Sequence, residues 1–327
     1  MEAWVKLHDD KEVFEELVLI AANSMGLPQA YVEKDYWVTR VLANLAGSLH
    51  RDDFVFKGGT SLSKVHGLIH RFSEDVDLAV CNKSWGDSKR KKQLKAVGEE
   101  ITAGLTYLPD HPGESKRGNF RKTYYQYPRL DEDAGLGHAS DKLLLEINAM
   151  AAPEPHSREE VQSLVAEYLI ASGNGRLVER YHLQPFRLKV LDVQRTAAEK
   201  IIALVKASRE GGDGNSLRLR IRHVYDLCMI FRNEKYVEWL DNERLDQMLG
   251  AVCDADRRVF PRAADWLDEP LHEASLFAEP YATWALVSDE FEGPFSRMVY
   301  RGDLPASDEI IRLLGRLGGV LKRLRSQ

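Results

Sequence analysis

Two acidic residues, spaced two positions apart, follow a glycine-rich turn in the N-terminal part of the sequence. Asp75 and Asp77 belong to the segment Arg71-Phe-Ser-Glu-Asp-Val-Asp-Leu78. On a β-strand, positions two apart share one face and lie roughly 7 Å apart, so both carboxylates would project together. Their hard oxygen ligands select Mg²⁺ or Mn²⁺. The alternative is a solvated strand edge, which is the commoner role of an isolated pair of this kind.

The turn that precedes the two carboxylates is a second signal. Residues 54–64 place Gly58 and Gly59 between an apolar strand pattern and the start of a helix. Glycine lets backbone amides approach a phosphate, and a helix N-terminus adds free N–H donors. Lys57 and Lys64 would add positive charge. Two glycines alone are more often a plain turn, but together with the carboxylate pair they indicate a site that holds a nucleotide's phosphates against divalent ions.

A third carboxylate, Glu146, stands in the apolar run Lys142-Leu-Leu-Leu-Glu-Ile-Asn148. A charge within so apolar a strand should be paired or bound to a metal if its face is buried. Glu146 would complete a three-carboxylate site with Asp75 and Asp77, provided that the two strands are neighbours. If its side chain faces solvent, Glu146 has no special role.

The hydrophobic pattern predicts the elements that position these groups. Before residue 191 it predicts helices over 9–24, 28–45, 60–68 (with Thr60 as N-cap), 86–105 and 158–171, and strands over 53–57, 75–80, 119–127, 142–150 and 184–191. Beyond that point it predicts helices over 193–208, 219–232, 235–250, 256–266, 281–291 and 307–325. This distribution predicts an α+β protein with an α/β lobe over 1–191 and a mainly helical lobe over 192–327.

The composition excludes several classes of protein. The 327 residues are 44% hydrophobic and 29% charged, with a net charge of −6, which indicates a globular chain rather than a disordered or collagen-like one. We find no signal-peptide pattern and no run of roughly 20 apolar residues, so we expect neither secretion nor membrane insertion. The three cysteines form no CxxC pair, which indicates a reducing cytoplasm and neither a disulfide framework nor a zinc site.

Four segments together resemble a known family. The string Lys57-Gly-Gly-Thr-Ser-Leu62, followed by the segment of Asp75 and Asp77, resembles the AbiEii/AbiGii and MenT-like nucleotidyltransferase toxins, a branch of the DNA polymerase β-like superfamily. Glu33-Lys-Asp-Tyr-Trp-Val-Thr39 upstream, and Ala198-Glu-Lys200 and Arg222-His-Val-Tyr-Asp226-Leu downstream, are similar to further motifs in the same order. The resemblance spans residues 31–228. It implies a polymerase β-like nucleotidyltransferase lobe with a mixed sheet, whose active-site cleft the helical lobe completes.

The resemblance also implies roles for individual residues. Those implied to bind the nucleoside triphosphate are Lys57, Gly58, Gly59, Thr60, Ser61, Ser73 and Lys200. Those implied to bind Mg²⁺ or Mn²⁺ are Asp75, Asp77 and Glu146, and the catalytic set adds Lys200 and the neighbouring acid Asp226. The residues alone leave two alternatives open. Lys200 and Lys206 flank the apolar stripe of their helix equally, and Arg222 and Asp226 are four apart and would pair on a helix surface. His223 departs from the charged residue that many members carry beside the fourth motif.

The implied function is that of a toxin in a toxin-antitoxin or phage-defence system. Such an enzyme moves a nucleoside monophosphate from a triphosphate to RNA, most typically the 3′ end of tRNA, and thereby blocks translation. The implied partners are the triphosphate, RNA and a separately encoded antitoxin, and we expect a cytoplasmic monomer without a membrane partner. The alternatives are an antibiotic-modifying type of nucleotidyltransferase and a non-catalytic interaction module.

The net charge hides an uneven distribution. Residues 82–122 carry ten basic and five acidic side chains, and residues 312–325 carry five basic and no acidic ones, including Arg312, Arg316 and Arg323. Residues 234–294 carry fifteen acids and five bases. Either basic segment would bind RNA phosphates by counterion release, or would be an ordinary solvated surface. The acidic segment would be a solubilising face or a surface for a basic partner.

Ser73 carries a further hypothesis because its hydroxyl lies two residues before Asp75. Phosphorylation there would add about −1.5 to −2 charge beside the carboxylates and block nucleotide binding. The alternative is that the Ser73 hydroxyl only hydrogen-bonds the turn.

Overall fold

An eight-stranded mixed sheet carries the glycine turn and the carboxylates. The structure, a computed structural model, describes residues 5–73, 75–131, 141–210, 212, 214–260 and 264–324. It divides into two compact units: the first comprises Met1–His66 and Phe72–Val190, and the second comprises Gly67–Arg71 and Leu191–Gln327. The predicted α+β class with a mixed sheet is confirmed.

The described strands are β1 Phe54–Lys57, β2 Val76–Val80, β3 Thr106–Tyr107, β4 Ser115–Arg117, β5 Phe120–Gln126, β6 Lys142–Asn148, β7 His156–Val161 and β8 Phe186–Leu191. They belong to the first unit, apart from the last residue of β8, and lie in the order β3-β5-β6-β2-β1-β8-β7, with β4 paired to β5. Strand β1 is antiparallel to β2 and parallel to β8, whereas β2 is parallel to β6.

Among the described residues, the helices of the first unit are α1 Lys11–Met25, α2 Gln29–Gly47, α3 Gly58–Lys64, α4 Asp87–Ile101, α5 Leu164–Ala171 and α6 Gly175–Arg180. One face of the sheet alternates apolar residues such as Val76, Leu78 and Leu145, which are fully buried. Helices α2 and α4 pack on this face, and Gly98 of α4 lies against the side chains of Leu145 and Ile147. The opposite face carries the polar side chains of the same strands, because successive residues of a strand point to opposite faces.

Helix α2 contains the motif that begins at Glu33, and its three charged residues hold the sheet and its connections. Lys34 is fully buried and donates from Nζ to the carbonyl oxygen of Lys142, at the start of β6, at 2.7 Å. Glu33 Oε1 accepts from the amide of Leu130 at 2.7 Å. Asp35 accepts from the amide of Leu164 at 2.8 Å and pairs with Lys64, the last residue of α3. These contacts explain why charged residues occupy a buried helix, since buried charges require partners.

The second unit is helical in its described part. Its helices are α7 Val193–Arg209, α8 Asn215–Arg218, α9 Ile221–Arg232, α10 Glu234–Val237, α11 Glu243–Val259, α12 Ser275–Ala278, α13 Pro280–Ala285, α14 Ser288–Glu290 and α15 Ser307–Arg323. Helix α7 packs against α9, α11 and α12, and α15 packs against α12 and α13. The buried stripe of α7 includes Ile201, Leu204 and Val205. No helix in the described ranges combines the length and apolar character that a bilayer crossing requires.

Several predicted boundaries are wrong. The helix predicted over 158–171 begins only at Leu164, because His156–Val161 forms the edge strand β7. Helix α3 starts at Gly58 rather than after Thr60, and it ends at Lys64, before Gly67 adopts φ +60°. Such a left-handed conformation ends a helix.

The predicted helices over 235–250, 256–266 and 281–291 are also wrong. The side chain of Asn242 caps the amide of Arg244 at 3.0 Å, so α11 begins at Glu243 and runs through Gly250 to Val259. Residues 261–263 lie outside the described part. Short helices, including a π-helical turn over Phe291–Phe295, replace the long helix predicted over 281–291.

Candidate active site

A row of four charged residues crosses four adjacent strands on the polar face of the sheet. Lys57 is opposite Asp77 in the pairing of β1 with β2, and Asp77 is beside Glu146 in the pairing of β2 with β6. Glu146 in turn is opposite Lys122 of β5. Because neighbouring strands are roughly 4.8 Å apart, two carboxylates stand side by side between two lysines. The condition set for Glu146, that its strand neighbours the strand of Asp77, is met.

Asp75 lies one residue before β2, where hydroxyl groups fix the backbone. Thr60 is 1% exposed, and its Oγ1 donates to the carbonyl oxygen of Asp75 at 2.7 Å. The same hydroxyl lies 3.0 Å from the Oγ of Ser73. Ser61 is also buried, and its Oγ donates to the carbonyl oxygen of Gly58 at 2.9 Å. Ser73 thus makes the turn hydrogen bond that was the alternative to a regulatory role, and the three hydroxyls hold the glycine turn against the start of β2.

Gly58 makes the closest approach between the turn and a carboxylate. It has φ +80°, and a Cβ at this position would lie 2.1 Å from Oδ2 of Asp77. An added side chain would have to displace the Asp77 carboxylate, and L-residues rarely adopt this backbone conformation. Position 58 therefore requires glycine because of the neighbouring Asp77 side chain, in addition to any requirement that a bound ligand imposes.

The electrostatics of the row show why its carboxylates need a positive partner. Burial raises the pKa of Glu146, while the positive charges of Lys122 and Lys57 act in the opposite direction. The negative charge of Asp75 adds to the effect of burial. A hard divalent cation would relieve this repulsion, so the oxygen donors of Asp75, Asp77 and Glu146 fit Mg²⁺ or Mn²⁺. Within the described ranges, no group of three or more His, Cys, Asp or Glu side chains forms a ready-made metal cage.

The second unit contains its own buried charge cluster, formed by Arg71, Lys200 and Asp226. Arg71 donates to Asp226 from Nε at 2.7 Å and from Nη2 at 2.8 Å, in the two-pronged geometry typical of strong Arg–carboxylate pairs. Lys200 Nζ lies 2.7 Å from Oδ2 of the same carboxylate. The exposed fractions are 3% for Arg71, 6% for Lys200 and 0% for Asp226. The cluster therefore holds two cations and one anion away from water.

The charges of this cluster determine its protonation. Burial opposes ionisation of Asp226, but Arg71 and Lys200 outweigh it and hold the pKa of this carboxyl below its ordinary value. Burial lowers the pKa of Lys200, which the charge of Asp226 partly offsets. Burial and the nearby Lys200 also lower the pKa of His223, so this residue is neutral at pH 7.

The structure shows the contacts of the residues in the two late motifs, and the role of Lys200 stays a prediction. Lys200 is the lysine of α7 that contacts Asp226, whereas Lys206 is half-exposed and lies 3.9 Å from Glu210. The pairing of Arg222 with Asp226 is wrong: Arg222 is exposed, and Arg71 takes the carboxylate instead. Arg71 was not among the predicted site residues, although it begins the segment of Asp75 and Asp77. The signal that could have identified it is a basic residue at the start of that segment.

The basic C-terminal segment is less available for RNA than its composition suggests. Arg323 donates to both carboxylate oxygens of Asp246 at 3.0 Å, and Asp246 is only 2% exposed. Arg316 lies 2.9 Å from Asp241. Two of the three arginines proposed as an RNA contact therefore neutralise acids of the 234–294 segment. Because Asp241 and Asp246 are paired in this way, the 234–294 segment presents fewer unpaired acids to a basic partner.

A glycine turn against a strand of paired carboxylates, with a third carboxylate on the neighbouring strand, is an arrangement suited to nucleotidyl transfer. The family model "Nucleotidyl transferase AbiEii toxin, Type IV TA system" matches residues 40–312. The chain therefore belongs to the AbiEii family of nucleotidyltransferase toxins, and it is a nucleotidyltransferase. Membership of a toxin-antitoxin family implies an antitoxin partner and a nucleoside triphosphate substrate.

Comparison with individual proteins adds little to the family assignment. Among solved structures, the chain is similar to MenT4, a nucleotidyltransferase toxin from Mycobacterium tuberculosis, at 17% identity and a TM-score of 0.49. The similarity covers 94% of this chain and 98% of that one. A search of the curated proteins finds no match.

The contact between Gly58 and Asp77 predicts a substitution that inactivates the enzyme without removing a functional group. We expect Gly58→Ala to displace the Asp77 carboxylate and to lower nucleotidyl transfer at least as much as Asp77→Ala does. Gly26→Ala is the matched control, because Gly26 has a similar φ of +66° but no atom within 4 Å of an added Cβ. Both variants should lose about 1 kcal/mol or more of stability from backbone strain. Full transfer by Gly58→Ala would show that the turn can move.

The buried cluster predicts a stability effect that depends on pH. Asp226→Asn leaves two cations without their anion, so we expect the free energy of unfolding to fall by about 3–5 kcal/mol at pH 7. Because the pKa of Asp226 is lowered on folding, its contribution is present above its ordinary value of 3.8 and is lost as the pH falls below it. Urea unfolding from pH 7 to pH 3 should therefore show a smaller loss in the variant. Arg222→Gln, on the exposed side of α9, is the control and should change the free energy of unfolding by less than about 0.5 kcal/mol. A larger effect would indicate that Arg222 does pair with Asp226.

Proposed function

We propose that this toxin transfers a nucleoside monophosphate from a triphosphate to the 3′ end of an RNA of the tRNA class and thereby blocks translation. The observation that carries the proposal is the strand register. It puts Asp77 and Glu146 side by side, with Asp75 one residue before β2 and the glycine turn in contact with Asp77. The first-unit residues that the resemblance implies for nucleotide or metal binding lie in three places. They belong to the glycine turn, to the charged row, or to the hydroxyl-bonded residues that hold the turn against the start of β2.

The roles follow from these positions. Asp75 and Asp77, with Glu146, would hold Mg²⁺ or Mn²⁺. Such an ion supplies charge stabilisation for a phosphoryl group and its leaving group. Gly58 and Gly59 leave the backbone open to the phosphates, and Thr60, Ser61 and Ser73 keep that backbone in place. Lys57 adds a positive charge beside them.

Glu146 is suited to receive the proton of the attacking hydroxyl. Burial raises the pKa of this carboxyl, so Glu146 would take the proton where it does not itself hold the ion. The acceptor hydroxyl then attacks the α-phosphate, and pyrophosphate leaves. By resemblance to the family, Lys200 contributes positive charge to the triphosphate, and Asp226 fixes the position of the Lys200 ammonium through their 2.7 Å contact.

The proposal includes the cellular setting. The enzyme would act as a cytoplasmic monomer, under control of a separately encoded antitoxin.

The proposal predicts the behaviour of two variants in one assay. Purified protein is incubated with total RNA and each labelled triphosphate in turn, with Mg²⁺ or with EDTA. We expect label in the tRNA fraction, no transfer in EDTA, and a loss of at least 1,000-fold for Asp75→Asn or Asp77→Asn. Asp254→Asn, an exposed aspartate of α11, is the matched control and should retain full activity.

The contrary outcomes are distinct. Normal transfer by either variant would remove the assigned roles of Asp75 and Asp77. Transfer to an aminoglycoside but not to RNA would identify an antibiotic-modifying enzyme. Transfer that survives EDTA would remove the divalent ion from the proposal.

A further inference from the structure

A group of basic side chains continues from the charged row to the edge of the sheet. Strand β5 lies next to β6, which carries Glu146, and β4 pairs with β5 at the edge. Lys122 of β5 belongs to the charged row. Arg117 of β4 is paired with Phe120, two positions before Lys122, so Arg117 points to the same face as Lys122. Arg121 points to the other face, towards α4.

Helix α4 extends this basic surface around the edge. Arg90 donates from Nη1 to Oδ1 of Asn119 at 3.0 Å and from Nη2 to the carbonyl oxygen of Trp85 at 3.0 Å. Asn119 follows Gly118 in the turn between β4 and β5. Arg90 therefore ties the first turns of α4 to this hairpin. Six basic residues of α4, β4 and β5 form this basic edge: Lys89, Lys91, Lys92, Arg117, Arg121 and Lys122.

Four residues of the basic edge lack acidic partners among the described residues. Lys89, Lys91, Lys92 and Arg117 are exposed, and none makes a hydrogen bond or ion pair with another side chain of the described ranges. Their neighbour Lys116 shows the contrast, because Glu114 compensates it at 2.9 Å. In α15, Arg316 and Arg323 are compensated in the same way by Asp241 and Asp246. Among the described residues, Arg312 and Lys322 of α15 are also exposed without such a partner, but they lie ten positions apart, whereas the basic edge holds four such residues in two adjoining segments.

The surroundings favour a polyanion over a protein. Between residues 88 and 126, Tyr107 is the one large apolar side chain among the described residues that is exposed. A stable protein interface requires an apolar centre, whereas phosphates bind to exposed Lys and Arg by releasing counterions.

We propose that the basic edge binds the phosphodiester backbone of the RNA acceptor and directs its 3′ end along Lys122 to the carboxylate row. This inference rests on the proposed function, because it names the surface that an RNA acceptor would occupy. It assigns RNA binding to the first unit, and it assigns Arg316 and Arg323 of α15 to structure.

The test removes four exposed charges and leaves the charged row intact. The quadruple variant carries Lys89→Gln, Lys91→Gln, Lys92→Gln and Arg117→Gln. The matched control carries the same charge change at exposed positions elsewhere, through Arg176→Gln, Lys235→Gln, Arg244→Gln and Arg258→Gln. Three quantities are measured: KM for tRNA between 50 and 200 mM KCl, transfer to a trinucleotide with a free 3′ hydroxyl, and anisotropy of a fluorescent single-stranded RNA.

We expect the quadruple variant to raise the KM for tRNA roughly tenfold or more. The plot of log kcat/KM against log salt should become shallower by roughly 3 to 3.5, since each of the four lost phosphate contacts removes about 0.7 to 0.9 from the slope. Transfer to the trinucleotide, which lacks most of the backbone phosphates of tRNA, should fall much less than transfer to tRNA, and the control should behave as the unaltered protein.

The inference is overturned if the quadruple variant and the control have the same KM and salt dependence, or if transfer to the trinucleotide falls as much as transfer to tRNA. Displacement of the fluorescent RNA by polyglutamate as readily as by RNA would assign the edge to an acidic protein and would also overturn it. If the unaltered protein transfers to no RNA, the proposed function fails. In that case the anisotropy measurement alone decides whether the edge binds RNA.

Discussion

The first unit depends on one constraint, namely that carboxylates brought together on a half-buried sheet face must be compensated. Strand register fixes Asp77 beside Glu146, and burial works against ionisation of Glu146. Lysines therefore stand at both ends of the row, and the glycine turn packs against the Asp77 carboxylate. Other contacts hold this arrangement in place: the hydroxyl of Thr60 holds the start of β2, and the buried charges of α2 hold the start of β6. The site is thus built by backbone contacts as much as by its own side chains.

The second unit also compensates buried charges, but there two cations share one carboxylate. Asp226 is the minority charge there, and two cations converge on it in a fully buried cluster. Asp226 allows Arg71 and Lys200 to be buried, because a charge that loses its hydration needs a close partner of opposite sign.

The sequence predicted the parts of the molecule in which pattern and chemistry coincide. The glycine turn, the strand of Asp77 and the strand of Glu146 are all present, because alternation and turn residues both marked them. Strand β7 was missed, because His156–Val161 is rich in polar and helix-favouring residues and is a strand only through its pairing at the sheet edge. The partner of Asp226 was missed for a different reason: local spacing offered Arg222, whereas Arg71 lies 155 positions away in the chain. Residue spacing predicts which side chains are neighbours along one helix, but it does not predict contacts that only the tertiary fold creates.

The close contact at Gly58 has a genetic consequence for a toxin. Every amino-acid substitution at a glycine codon adds at least a Cβ atom, and here that atom would collide with the Asp77 carboxylate. Because we propose Asp77 as a metal ligand, we expect missense changes at this codon to release cells from the toxin, although the glycine itself contributes no chemical group. Spontaneous loss-of-function alleles should accumulate at Gly58 with a wider range of replacements than at positions where a conservative change preserves the side-chain chemistry.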